Sequence, residues 1–557
     1  MNAAVVAVGV LFAFALGYRF YARFLSRRVF ALDAAEPVPA RELEDGIDYV
    51  PARLSVLWGH HYTSIAGAAP IVGPALAVIW GWVPALLWVV VGTVAMGAVH
   101  DFSALVLSLR NRGRTVGQIA GDVLGPTSQR LFLLVVAFLI WIVLAVFAFI
   151  IGTLFVAYPA AIFPINVQIL VAIVLGWGVF RRGLPVLGPS VAGFALLLTA
   201  VFYGQAFVDR FPAVTEITVG AWVWILMLYS FVASVLPVWL LLQPRDYLNS
   251  HQLILGLATI LGGLLWLAPE IQAPALNPSP EGAPPLLPFL FITIACGAIS
   301  GFHGLVSSGT TSKQVSRMTD ARPIGFGGML GEGSLGLLAV LATTAGFASA
   351  SEWHLHYASW SAASGLAPKL AAFVNGAGGF VSQLGVPEAT ARTFVAVMVV
   401  AFAATSLDTG ARILRLILSE LGESAGLRPL GNRYVAAGVG VGAALLLAVT
   451  QAGGQGGLIL WPLFGTTNQM LAALTLTVVS VWLKRSGRPY VYTLVPMLFV
   501  ALATSLAMLG EIRGHLGTSN WLLAGSAGCV LVFASWVIVE GLGQLAGRGG
   551  SARGEAA

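Results

Sequence analysis

Few side chains in this sequence could do chemistry, and most of them lie inside long apolar runs. His303 sits in CGAISGFHGLVSSGTT (Cys296 to Thr311), and an imidazole at that depth must face protein or a water-filled cavity, which makes it a functional candidate by default. Glu332, in GFGGMLGEGSLG (Gly325 to Gly336), has no basic residue within a turn. An uncompensated carboxyl there is costly to ionise, which suits a proton carrier near neutral pH. The bland alternative is a neutral glutamic acid bonded to a backbone carbonyl. Asp408, beside Thr405 and Ser406, has Arg412 four residues on, so it reads either as part of a cation-type site against a broken helix or as one half of an intrahelical ion pair. His60 and His61 are vicinal and cannot face the same way on a helix, which leaves a proton relay or a gate, or else interfacial imidazoles in contact with water. His100 and Asp101 close a further apolar run.

The uncharged polar candidates follow the same logic. Ser307 to Ser312 reads SSGTTS and includes Thr310; hydroxyls and free N–H groups beside a helix break suit a carboxylate or a coordinated cation, and small residues also suit close helix packing. Asn468 and Gln469 form a pair that could bond substrate or a neighbouring helix. The expected substrate ligands are therefore Ser64, Gly67, Gly73, Ser300, His303, Ser307, Thr310, Asn468 and Gln469. Ion coupling is expected at Glu332, Asp408, Thr405, Ser406, His60, His61 and Asp101. The driving ion is read as a proton, with sodium as the alternative, and neither a metal nor a cofactor is expected.

The elements that must position these groups are membrane helices. At 557 residues, 58% hydrophobic and 9% charged, with mean hydropathy +0.88, the chain is too apolar for a soluble protein. The net charge of +6 comes from Lys and Arg in short loops, the pattern of the positive-inside rule and not of a nucleic-acid-binding face. Cys296 and Cys529 both lie in apolar segments, so no disulfide framework is expected. Two segments are interrupted: Leu57 to Trp82, LWGHHYTSIAGAAPIVGPALAVIWGW, and Pro288 to Thr311, each carrying glycine where a continuous helix would want leucine. Paired interruptions at comparable places in two halves are the best sequence pointer to a transporter's binding site.

Alternating the basic loops gives the topology. The first span, 1–30, has the N-terminus outside, and Ala31 to Arg53 is a cytoplasmic loop. Arg114, Arg182, Arg245, Lys313 and Lys484 are expected at the cytoplasmic end, while the Pro269 to Pro288 loop and a partly helical cap, Glu352 to Gly385 with Lys369, are expected outside. The result is an all-α polytopic membrane protein of about fifteen transmembrane helices of roughly 20 residues each. Residues 57–268 and 286–543 form two inverted halves, each opening on a broken helix, and the tail 544–557 reads as disordered.

Five strings, GHHYTSIAGAAPIVGPALA (Gly59 to Ala77), LPVWLLLQPRDYL (Leu236 to Leu248), CGAISGFHGLVSSGTTSKQ (Cys296 to Gln314), TSLDTGARILR (Thr405 to Arg415) and LWPLFGTTNQMLAAL (Leu460 to Leu474), closely resemble the carbon starvation protein A (CstA) family of bacterial inner-membrane transporters. The resemblance spans nearly the whole chain, with a C-terminal family part over about 390–510. It implies proton-driven import of a small nutrient, pyruvate or short peptides, under carbon limitation, and a LeuT/APC-like core of inverted repeats. A pair of extra spans closing each half, Val219 to Ala268 and Val491 to Ile538, departs from a strict five-plus-five core. An uncoupled facilitator or a sodium symporter is the competing reading; an enzyme is disfavoured because no nucleophile and base are placed together.

Overall fold

The computed structural model describes residues 1–547 and is built of helices, with no β-strand among the described residues beyond two isolated bridges. Its helices are α1 (Ala3–Val29), the bent pair α2 (Leu54–Ile65) and α3 (Ala69–Ala77), then α4 (Trp82–Arg110), α5 (Pro126–Ala157), α6 (Ile162–Arg182) and α7 (Leu187–Arg210). There follow α8 (Val219–Val235), α9 (Leu242–Leu267), the short α10 (Leu286–Thr293) and α11 (Gly301–Gly309), and α12 (Met318–Ala345). The rest are α13 (Leu366–Ser382), α14 (Glu388–Ala425), α15 (Arg433–Val449), α16 (Pro462–Arg485), α17 (Val491–Gly517) and α18 (Trp521–Leu545). Eleven helices are long and apolar enough to cross a membrane, and the α2–α3 pair, bent by 47°, makes a twelfth crossing. The expected count of about fifteen is reached only if the 17-residue helices α8 and α15 and the interrupted α10–α11 segment also cross.

Both expected interruptions are present. The first falls at 66–68 between α2 and α3, and the second spans 294–300 between α10 and α11. Contacts between the two segments pair rising with falling numbers: Ala52 with Val315, His61 with Thr311, Gly73 with Thr293 and Trp80 with Pro284. The segments therefore lie side by side and antiparallel. Gly73 is required at this crossing, since a Cβ there would stand 2.4 Å from the Thr293 carbonyl oxygen.

One end of the bundle gathers the groups expected in the cytoplasm. The strap 31–53 crosses it, with Val50 N–H donating to Lys313 O at 3.2 Å, Val238 N–H to Ile47 O at 3.2 Å, and Arg110 bonding Glu36 at 2.6 Å. Asp48 on this strap accepts from Arg412 at 2.7 Å and Arg415 at 3.1 Å. Burial raises the Asp48 carboxyl, but Arg412, Arg415 and Lys313 outweigh it and hold it at about 2. The opposite end gathers Met1, Glu270, the proline-rich loop and the cap: Ala3 N–H donates to Pro269 O, Trp360 N–H to Glu281 O, and Tyr357 Oη to Ala75 O.

Several expectations need correction. Arg245 is not an end marker: it lies in the first turn of α9 at 2% exposure, inside the bundle. Lys369 is not on an open surface, because α13 packs against α3, α9, α12 and α14 and leaves it 4% exposed. Arg412 is not the partner of Asp408; it turns to Asp48 and to the carbonyl of Leu236. Helix α18 extends to Leu545, and the remainder of the expected tail beyond residue 547 lies outside the described residues.

Two outcomes follow. Single cysteines replacing the exposed Arg182 and Arg428 should react with an impermeant thiol reagent from the cytoplasmic side only, and those replacing the exposed Glu281 and Glu352 from the external side only. A shared side for all four would overturn the two-ended arrangement. Asp48→Asn strands two guanidinium groups and should destabilise the protein by about 3 kcal/mol in a detergent melt. Because the Asp48 carboxyl is held below its unfolded value, the wild-type contribution is full above about pH 4 and fades as pH falls toward about 2.

Candidate functional site

The second break exposes backbone groups that water cannot reach, and side chains from three helices satisfy them. Gly297 takes φ +89°, a conformation that favours glycine, and donates its N–H to Glu332 Oε1 of α12 at 3.1 Å. Its carbonyl accepts from Thr93 Oγ1 of α4 at 2.9 Å, and Trp88 Nε1 donates to Ile294 O at 3.1 Å. From α16, Asn468 Oδ1 accepts from Phe302 N–H at 2.9 Å and from Ser300 Oγ at 3.2 Å, and Gln469 Nε2 donates to Phe291 O at 2.5 Å. The amides of Asn468 and Gln469 are thus committed to holding the break.

Glu332 begins a buried chain of titratable groups. Its Oε2 lies 3.1 Å from His303 Nε2, His303 Nδ1 lies 3.0 Å from Asp101 Oδ2, and Asp101 Oδ1 lies 2.8 Å from His100 Nδ1. All four residues are fully buried. Two carboxyls joined through one imidazole can pass a proton by small rotations, with no backbone movement. Cys296 Sγ joins His303 and Glu332, the three donor atoms lying within 4.8 Å of one another.

A second network lies across α2. Arg245 of α9 bonds Asp246 Oδ1 through Nε at 3.1 Å and through its terminal nitrogen at 2.9 Å, and it also pairs with Asp408 of α14. Tyr229 Oη of α8 donates to Asp408 at 2.8 Å. Thr405 Oγ1 reaches Asp246 Oδ1 at 3.3 Å and accepts from Asn249 at 2.7 Å, and His60 Nδ1 lies 2.6 Å from Asp246 Oδ2. The guanidinium occupies the position in which a coupled cation would neutralise Asp408.

Helix α2 touches both networks. His60 faces Asp246, while His61 turns away to Thr311 Oγ1 at 3.0 Å, the divergence that vicinal placement demands. Tyr62 Oη donates to Gly331 O at 2.7 Å, next to Glu332. Ser64 meets Thr409 at 3.3 Å, and its carbonyl accepts from Ser406 Oγ at 3.1 Å. Between the breaks lies a cavity of about 10 Å³, room for one water, lined by Ile65, Gly67, Ala69, Cys296, Phe302 and Ser406 among others. Gly67 belongs there because a Cβ would come within 2.8 Å of Ser406 Oγ. Thr310 bonds back to its own helix at Val306 O, Ser307 Oγ has no protein partner, and Gly73 serves the crossing.

Sequence reasoning missed Asp246, Tyr229, Asn249, Thr93 and the strap residue Asp48. The signal for the first was present: an adjacent Arg-Asp pair in LLLQPRDYL that was read as the end of a span and not as its interior.

The family model described as carbon starvation protein CstA matches residues 2–352 and 349–507. A peptide transporter CstA of Mycobacterium tuberculosis is 35% identical over 88% of this chain and 72% of its own. One of Campylobacter jejuni is 33% identical over 92% of this chain and 81% of its own, and the pyruvate/proton symporter BtsT of Escherichia coli is 33% identical over 90% and 81%. Among solved structures, a manganese transporter of Eremococcus coleocola aligns with 90% of this chain and 99% of its own at a TM-score of 0.38 and 14% identity, too loose a likeness to carry an assignment. The length of the match and the identity to these relatives agree: this multi-pass membrane chain belongs to the carbon starvation protein CstA family.

Proposed function

We propose that the protein is a secondary active importer of a small carboxylate-bearing nutrient, pyruvate or a short peptide, driven by protons and built as two inverted halves in the bacterial inner membrane. The observation that carries this reading is the fully buried Glu332–His303–Asp101 chain, bonded through Glu332 to the backbone of the second helix break. A proton arriving at Glu332 changes the charge beside Gly297, and so changes the electrostatics of the break that faces the cavity.

The substrate carboxylate is assigned to the first break. Helix α3 begins at Ala69, beside the cavity, with no side chain capping its N-terminus; Pro70 has no N–H and those of Ile71 and Val72 donate to Ala68 O, which leaves the Ala69 N–H and the helix dipole to favour an anion. Ser406 Oγ, also in the cavity wall, donates to Ser64 O and would leave that carbonyl to bond the carboxylate. Both pyruvate and a peptide C-terminus present such a carboxylate.

Sodium coupling is disfavoured on charge. The carboxylate best placed for a cation, Asp408, already faces Arg245 and Tyr229, and a second cation beside a guanidinium would meet repulsion in low dielectric. Arg245 acts as a built-in cation that binds α9 to α14.

In proteoliposomes, Glu332→Gln should retain exchange of labelled substrate while losing accumulation driven by a pH gradient. Wild-type accumulation by this variant would make Glu332 structural and move the proton elsewhere. Running pyruvate and dialanine in parallel separates the two substrate classes, and uptake should be indifferent to replacing sodium with choline. Arg245→Gln and Asp408→Asn should each abolish transport, and their combined destabilisation should fall short of the sum of the singles by about 1–3 kcal/mol, the coupling expected of a buried pair.

A further inference from the structure

We infer that import consumes two protons per substrate, the second carried by the His60–Asp246 pair; this rests on the proton-coupled import proposed above. The two buried networks have the same charge composition. In one, Asp101 and Glu332 flank His303, and His100 bonds the remaining oxygen of Asp101. In the other, Asp246 and Asp408 flank Arg245, and His60 bonds the remaining oxygen of Asp246. Each sets two carboxylates against one group that can carry positive charge, Arg245 always and His303 once protonated, and holds one further imidazole in reserve, and Arg245, the least buried member of either, is only 2% exposed. An uncompensated charge inside a protein costs several kcal/mol, so each network is one proton short of its stable, neutral composition.

In the second network the missing proton has a definite place. A guanidinium does not give up its own proton, and Tyr229 and Arg245 both bond Asp408 Oδ2 while Asp408 Oδ1 faces no imidazole; the 2.6 Å contact between His60 Nδ1 and Asp246 Oδ2 is the acid–imidazole pair of this network, and the proton is assigned to it. Other charged or titratable groups on elements packed against α2 are engaged elsewhere. Glu332 pairs with His303, His61 with Thr311, Arg412 and Arg415 with Asp48, Glu420 with Thr115 and His251 with Tyr247 O, while Lys313 lies over the Tyr49 ring at 5.4 Å and Arg322 over the Tyr18 ring at 5.5 Å.

Geometry also couples this proton to transport. Helix α2 is a separate rod, joined to α3 at the break and bent from it by 47°, and it seats against α9 so closely that a Cβ on Gly59 would lie 2.5 Å from Ser250 Oγ. The His60–Asp246 bond spans this seam. Any movement that lifts α2 from α9 separates the pair, strands both charges and releases the proton into the space that opens. The proton on Glu332 sits instead at the second break, so one proton serves each interrupted helix.

The test is the balance point of flux in proteoliposomes, with the membrane potential clamped to zero by valinomycin and equal potassium. The probe is labelled pyruvate, or labelled dialanine if that is the compound accumulated. A tenfold substrate gradient should be balanced by about half a pH unit for two protons and by about one unit for one proton, since one pH unit and one decade of concentration carry equal free energy. The wild type should balance near half a unit, and His60→Gln should shift to one unit. A wild-type balance at one unit overturns the inference and leaves proton coupling standing. No accumulation of either probe under any pH gradient overturns both.

Discussion

In hydrocarbon, an unpaired backbone N–H or C=O costs several kcal/mol, and this constraint shapes the centre of the molecule. The break and the helix ends that flank it, 291–302, give up helical hydrogen bonds and recover them from Thr93, Trp88, Glu332, Asn468 and Gln469, which belong to three separate helices. The break is therefore held by its surroundings. It follows that one of its holders can act as a switch. Thr93, Trp88, Asn468 and Gln469 do not change charge near neutral pH, but Glu332 can, and it alone among them continues into a chain of titratable groups.

Charge adds a second constraint. Asp408 and Asp246 can be buried because Arg245 reaches both, and this places α8, α9 and α14 in one register through Tyr229, Arg245 and Asp408. Helix α2 is held differently, by hydrogen bonds from His60, His61, Tyr62 and Ser64 to four different elements. Leaving that seat breaks these polar contacts and also uncovers the buried Leu57, Tyr62 and Ile65. The strap over the same end, with Asp48 against Arg412 and Arg415, ties the loop before α2 to α14, so release of one bears on the other.

Much of this was legible in the sequence. The glycines and prolines of 57–82 and 288–311 announced both breaks, because a spanning helix has few other reasons to hold them, and the intramembrane rule singled out His303, Glu332, Asp101 and Asp408. Partners were harder. Arg412 stands one helical turn from Asp408 and is the natural local choice, yet the actual cation is 163 residues away in α9. Counting basic residues as end markers hid Arg245, since the rule describes loops and a buried ion pair obeys different energetics. Asn468 and Gln469 were found as polar groups at depth, but nothing local distinguishes an amide that holds a substrate from one that holds a broken backbone.

The central claim is that substrate binding and protonation of the buried Glu332 chain are linked. By reciprocity, a substrate that binds more tightly to the protonated protein must itself drive proton uptake. Adding pyruvate or dialanine to the purified protein in weakly buffered detergent, with an indicator dye, measures this directly between about pH 5 and 8, the range in which an unperturbed imidazole changes charge. The account predicts net proton uptake that saturates with substrate occupancy and is reduced in Glu332→Gln. Substrate binding with no proton uptake at any pH in that range would contradict it.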